Sequence, residues 1–114
     1  MRRDEQYLQD ILDASEAVER YLAGVDRAGF LADELRRDAV ARRLTIVGEA
    51  AAQVSLSVRN RAPKIDWTRA VDFRNLVVHG YFEIDWSIVW RVAWKELPRF
   101  RRQVEALIRD LADA

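Results

Sequence analysis

The sequence contains no cysteine and a single histidine among its 114 residues. Without cysteine, the chain can form no disulfide bond and offers no thiolate as a nucleophile or metal ligand. A zinc site would have to combine the one histidine with carboxylates alone, which is an uncommon set of ligands. We therefore expect neither a protein-bound metal nor a cofactor.

Long apolar segments are also missing. No run approaches the ~18 apolar residues that a membrane-spanning helix needs, and the first residues are charged rather than apolar as in a secretory signal. Half of the residues are hydrophobic and a third are charged, which is the balance of a folded globular domain. The sequence predicts one cytoplasmic domain over residues 1–114, without membrane contact.

An excess of charge of either sign is absent, because 19 basic residues balance 19 acidic ones. No overall positive field would therefore steer the protein to nucleic acid. Lysine occurs only at positions 64 and 95, so nearly all of the positive charge is arginine, whose guanidinium group suits bidentate contacts to phosphate. The codon usage of a high-GC genome would produce the same bias.

Strand-like alternation is absent, and helix-forming residues dominate. Both prolines lie where helical patterns end. Asp4, Asp66 and Asp85 each stand directly before a helical pattern, where a carboxylate can serve as an N-cap. The predicted helices cover residues 5–23, one turn starting at 26, 33–58, 67–78, a segment after 85, and 98–111. We predict an all-α fold, an up-and-down bundle of four to five helices.

The second long helix carries Gly48 among alanines, which leaves a surface on which another helix can approach closely. Glu49 is the one carboxylate in this apolar and small-residue stretch. It either faces solvent or lies buried as an anchor for an arginine, since an unpaired buried carboxylate would be costly.

Three tryptophans, Trp86, Trp90 and Trp94, recur at helical spacing and define one stripe. Ordinary core packing would explain them. A subunit interface is the alternative, because Ile88 and Val92 give the same helix a second apolar face.

The segment from Arg74 to Tyr81 places a permanent cation, an amide, an imidazole and a phenol within eight positions. On a helix, Asn75 and His79 lie one turn apart on the same face. Arg74 and His79 differ by about 140° and roughly 7.5 Å of rise. They could meet at one phosphate from the flank of a groove, or if the helix loosens at Gly80.

These side chains suit RNA cleavage without a metal ion. Such cleavage needs a base for the 2′-hydroxyl, an acid for the departing 5′-oxygen, and a cation for the charged phosphorane. The imidazole of His79 suits the proton transfers, and the guanidinium of Arg74 suits the cation role. One chain supplies only one imidazole, so a catalytic chain would need a two-fold dimer to supply both the acid and the base.

The segment resembles a known motif. Arg74-Asn75, His79 and Gly80-Tyr81 resemble the Arg-x4-His-x-Tyr motif of the HepT toxin family, a branch of the HEPN domains. Further similarity extends over essentially the full length, at residues 46–50, at Asp66-Trp67, at residues 82–85 and at Val89-Trp90. Asp72-Phe73 departs from the Gly-Met or similar pair that is common there, and we expect this to change packing rather than chemistry.

The resemblance implies a HEPN-like bundle and a function. Proteins of this family are homodimeric ribonucleases that act as toxins of type VII toxin–antitoxin pairs. A minimal nucleotidyltransferase neutralises them by transferring AMP to the motif tyrosine. Carried over to this chain, Arg74 and His79 would be catalytic, Asn75 supporting, and Tyr81 modified. As an anchor for an arginine, Glu49 would be a second supporting residue. The RNA substrate (tRNA or mRNA) and assembly beyond a dimer stay open.

Two other functions fit the same residues. The neutral net charge and the absence of a basic tract would suit a non-catalytic helical module that binds a nucleotidyltransferase. A plain structural dimer would use His79 for stability only.

Overall fold

The computed structural model describes residues 3–78 and 83–113. Within these two ranges the chain forms α-helices and no strand, which confirms the all-α prediction. None of the described helices is long and apolar enough to cross a membrane. The helices are α1 (Asp4–Leu22), α2 (Arg27–Leu31), α3 (Glu34–Gln53), α4 (Leu56–Arg59), α5 (Trp67–Val78), α6 (Trp86–Arg91) and α7 (Leu97–Ala112), with a π-helical turn (Val92–Glu96) between the last two.

The bundle is arranged around α3, which packs along α1 on one side and α5 on the other, while α7 packs against α1. Helices α1 and α3 run antiparallel, because the Tyr21 carbonyl near the end of α1 accepts from Arg36 Nε near the start of α3 (2.7 Å). Apolar side chains of all four long helices meet in the core, among them Leu8, Ile11, Val18, Val40, Leu44, Val47, Ala70, Phe73, Leu97 and Val104.

Most helix starts and stops follow local sequence signals. The predicted caps at Asp66 and Asp85 are confirmed, since their carboxylates accept from the backbone amides of Arg69 (2.9 Å) and Ser87 (3.0 Å). Helix α5 covers the predicted residues 67–78. After α1 the chain turns at Gly24, which adopts a positive φ of 72° that other residues rarely tolerate.

The prediction that Asp4 caps α1 is wrong. Asp4 is the first helical residue, and Arg3 occupies the cap position. The Asp4 carboxylate instead accepts two hydrogen bonds from Ser55, one from the backbone amide (2.8 Å) and one from the hydroxyl (2.7 Å). This contact joins the start of α1 to the chain that follows α3, 51 residues away in sequence.

The predicted helix over residues 33–58 is interrupted, because α3 ends at Gln53 and α4 begins after Ser55. The Ser55 hydroxyl caps α4 by accepting from the Val58 amide (3.3 Å). Arg59 donates to the carbonyls of Ala51 (2.6 Å) and Val54 (3.0 Å) at the end of α3, where carbonyl groups have few partners within the helix. The apolar period continues across the break, so the pattern did not indicate it.

Pro98 begins a new helical segment, as predicted, within one residue of the observed start at Leu97. The interruption before it is a π turn rather than a loop. Proline lacks an amide hydrogen, and its ring would collide with the carbonyl four residues earlier in a regular α-helix. The wider π turn at Val92–Glu96 accommodates that ring without ending the helical path.

The tryptophan stripe divides into a packed part and an exposed part. Trp86 and Trp90 contact the buried ring of Phe30, with centroids 6.3 Å and 5.5 Å away. Trp94 stacks on Trp90 at 6.3 Å, but 61% of it is exposed. Core packing therefore accounts for the first two rings. An interface role for Trp94 stays a prediction.

We predict that Asp4→Ala lowers the free energy of unfolding by about 1.5 kcal/mol, because it removes two hydrogen bonds to a charged acceptor. Glu5→Ala is the matched control, since Glu5 is an exposed acidic residue in the same turn. Urea denaturation of both variants measures the difference. Equal losses in the two variants would contradict a specific Asp4–Ser55 contact.

Candidate functional site

Arg74 lies on α5 at a point where this helix approaches α3 closely. A Cβ atom added at Gly48 would lie 2.6 Å from the Cβ of Arg74, 2.7 Å from its backbone nitrogen, and 3.0 Å from the carbonyl oxygen of Val71. Two of these contacts are to backbone, which cannot move aside as a flexible side chain can. Position 48 therefore requires glycine, and the close helix approach predicted from the sequence is confirmed.

The rest of α5 is held by α7 and the π turn. Arg69 makes a bidentate ion pair with Glu96, with Nε–Oε1 at 2.7 Å and Nη2–Oε2 at 2.9 Å. This hydrogen bond lowers the pKa of Glu96 and raises the pKa of Arg69, so both groups are charged at neutral pH. Phe73 is buried and meets Phe100 edge to face at 6.2 Å. These contacts fix the helix that carries Arg74.

Arg74 lines an open groove of about 680 Å³ between α1, α3 and α5. The groove has charged or polar side chains on each of its three walls. Helix α1 contributes Tyr7, Asp10 and Asp13, α3 contributes Arg43, Glu49 and Gln53, and α5 contributes Arg74. Arg74 itself is half-buried as a residue, and it lies beside this open space.

Glu49 is exposed, so its interpretation as a buried anchor for an arginine is wrong and the solvent-facing alternative holds. The reason lies one residue earlier, because Gly48 occupies the face of α3 that contacts α5. Glu49 is the next residue on α3, so it faces a different side of the helix, and it lines the same groove as Arg74. The structure thus brings these two predicted site residues to one surface.

Asn75 is placed differently. Its side chain is exposed, and its Nδ2 donates to Asp72 Oδ1 one turn earlier on α5 (3.3 Å). It is not one of the residues that line the groove beside Arg74. A supporting role for Asn75 therefore stays a prediction.

The predicted residues His79 and Tyr81 lie outside the described residues, as does Gly80. Within residues 3–78 and 83–113, no three histidine or acidic side chains are grouped so that they could hold a metal ion.

Sequence reasoning missed most of the groove, namely Tyr7, Asp10, Asp13, Arg43 and Gln53. The available signal was weak. Tyr7, Asp10 and Asp13 recur every three residues on α1, which indicates a shared face. Such a face looks like an ordinary solvated surface until the antiparallel packing of α1 on α3 is known.

Comparisons with a family model and with individual relatives indicate the same family. Residues 11–107 match the family model described as "Ribonuclease HepT-like". The chain is 31% identical over 99 residues to "Putative RNase MJ1380" of Methanocaldococcus jannaschii, a match that covers 87% of this chain and 91% of the relative. It is 29% identical over 106 residues to "Probable ribonuclease HepT" of Thermococcus cleftensis, covering 93% and 96%. No solved structure matches the chain.

We predict that Gly48→Ala destabilises the fold by about 1 kcal/mol. Overpacking against the α5 backbone costs roughly 1–3 kcal/mol, and the better helix propensity of alanine returns up to about 1 kcal/mol. The control is Asp38→Ala, at an exposed position of the same helix, which we expect to be neutral. Chemical denaturation measures both. A Gly48→Ala protein more stable than the parent would contradict the close approach.

Proposed function

The chain belongs to the HepT-like ribonuclease family, and from this membership we propose that it is a toxin that cleaves RNA internally, without a metal ion, in a cleft shared by two copies. The observation that carries the proposal is the placement of Arg74. Its backbone is fixed against Gly48, and its side chain lines an open groove. His79 follows five residues later in the sequence.

The proposed reaction needs two proton transfers. One His79 imidazole removes the proton of the 2′-hydroxyl, whose oxygen attacks the adjacent phosphorus. The partner subunit's His79 protonates the 5′-oxygen as its bond to phosphorus breaks, which leaves a 2′,3′-cyclic phosphate and a free 5′-hydroxyl. Histidine suits both roles because its ordinary pKa of about 6.5 lies near neutral pH.

Arg74 would stabilise the phosphorane. Its guanidinium carries a permanent charge, and its planar donors match the geometry of two phosphate oxygens. Arg74 is half-buried as a residue, and a lower effective dielectric beside the helices than in bulk water would strengthen this attraction. We assign Glu49 and Asn75 supporting roles near this group.

Regulation would act at Tyr81. A minimal nucleotidyltransferase, the proposed antitoxin, would transfer AMP to the Tyr81 hydroxyl, two residues after His79. The added phosphate is a bulky anion that would compete with RNA for Arg74 and obstruct the cleft.

We expect Arg74→Ala and His79→Ala each to lower RNA cleavage by at least about 100-fold, since each removes a group acting in the transition state. Arg102→Ala, an exposed arginine on α7, is the matched control and should cleave like the parent. Cleavage of total tRNA and of mRNA is measured in EDTA. Full activity of the two motif variants would refute the assignment. A stable complex with the transferase without any cut RNA would favour a non-catalytic binding module.

Tyr81→Phe should remain toxic in the presence of the transferase, because it keeps the cleft but has no hydroxyl to accept AMP. Co-expression growth assays and intact mass measure this result, with Tyr21→Phe as a control that should gain AMP mass as the parent does. Rescue of growth despite the missing Tyr81 hydroxyl would count against the proposed regulation.

A further inference from the structure

The groove beside Arg74 has the size of a ligand site but the wrong charge for a nucleic-acid backbone. Its volume of about 680 Å³ lies within the range of roughly 300–1,000 Å³ that is typical of small-molecule sites. Its walls carry the carboxylates of Asp10, Asp13 and Glu49 against the guanidinium groups of Arg43 and Arg74. A phosphodiester chain running along this groove would meet three negative groups.

A nucleotide could match both the positive and the negative side chains of the groove if its phosphate and its base bind at different places. Its phosphate would lie at Arg74, while its base, which carries N–H donors, would lie at a carboxylate. Glu49 is placed for that contact, because it follows Gly48, the residue against which Arg74 packs. In the part of the chain that the structure describes, the Glu49 carboxylate accepts no hydrogen bond and forms no ion pair, and it is exposed to the groove. Asp13, by contrast, already accepts from Gln9 Nε2 at 2.8 Å.

The chemistry of a carboxylate selects one base. An ionised carboxylate only accepts hydrogen bonds. Guanine presents two adjacent donors, N1–H and the exocyclic N2 amino group, which match the two carboxylate oxygens. Adenine and cytosine place a ring acceptor beside their amino group, and uracil places its single N–H between two carbonyl oxygens. Each of these three bases would therefore bring a lone pair against the carboxylate.

We propose that the groove between α1, α3 and α5 is a base-recognition subsite, in which Glu49 selects guanine next to the phosphate bound by Arg74. This inference rests on the proposed ribonuclease function for its role in cleavage. The binding of a guanine nucleotide does not depend on cleavage, and the two can therefore be tested separately.

The first test maps the cleavage sites in a randomised RNA pool by sequencing. The parent should prefer guanine beside the cut by about tenfold, the scale of a good bidentate base contact. Glu49→Gln should shift the preference toward adenine, because an amide offers one donor and one acceptor. Glu34→Gln, an exposed change on the same helix, is the control and should keep the guanine preference. Inosine, which lacks the N2 amino group, should be cut less well than guanosine by the parent only.

The second test measures the binding of GMP, AMP and UMP by NMR titration, together with the oligomeric state by light scattering. GMP should bind the parent most tightly, and Glu49→Gln should remove that preference. Cleavage whose base preference Glu49→Gln leaves unchanged would overturn the subsite but not the ribonuclease. GMP selection through Glu49 without any cleavage would support the subsite and overturn the ribonuclease. Loss of the dimer in Glu49→Gln would overturn the subsite, since a second copy would then occupy the groove.

Discussion

The contact between Gly48 and the backbone of Arg74 is the constraint on which the site depends. Because only a hydrogen atom fits between α3 and α5 at this point, the two helices meet with backbone against backbone. The position of the Arg74 backbone and Cβ is therefore set by the two packed helices rather than by a flexible loop. The same contact decides the orientation of Glu49, which is turned away from α5 and toward the groove that Arg74 also lines.

Much of the fold could be predicted because its signals are local. Two carboxylates cap the starts of α5 and α6, and a glycine forms the turn after α1. Each affects only residues close to it in the sequence, and each lies where the pattern indicated. The break at Ser55 could not be predicted from the apolar period, because the residue that binds Ser55 there is Asp4, which lies 51 residues earlier. The same limit applies to the site. Arg74 belongs to a short motif, whereas the opposite wall comes from α1, and nothing in the sequence states which face of α1 meets α3.

The neutral net charge of the chain and the mixed charge of the groove both bear on how RNA would be recognised. A strongly basic protein binds RNA anywhere along its backbone, and that binding is weakened steeply by salt. This chain has no such overall field, so the RNA binding that we propose would depend on a few placed groups. Phosphate contacts fix position and base contacts carry sequence information. Under the proposed function, a groove with both kinds of group would help to choose where a strand is cut, at some cost in how tightly the strand is held.

The π turn before Pro98 changes the direction in which the side chains point around the axis of one continuous helical path. One additional residue in a turn advances the helix by about 100° relative to an uninterrupted α-helix. The face that α6 presents to Phe30 and the face that α7 presents to α1 are therefore offset, and each can be apolar toward its own neighbour. The turn thus lets one continuous helical path direct two different faces into the same core.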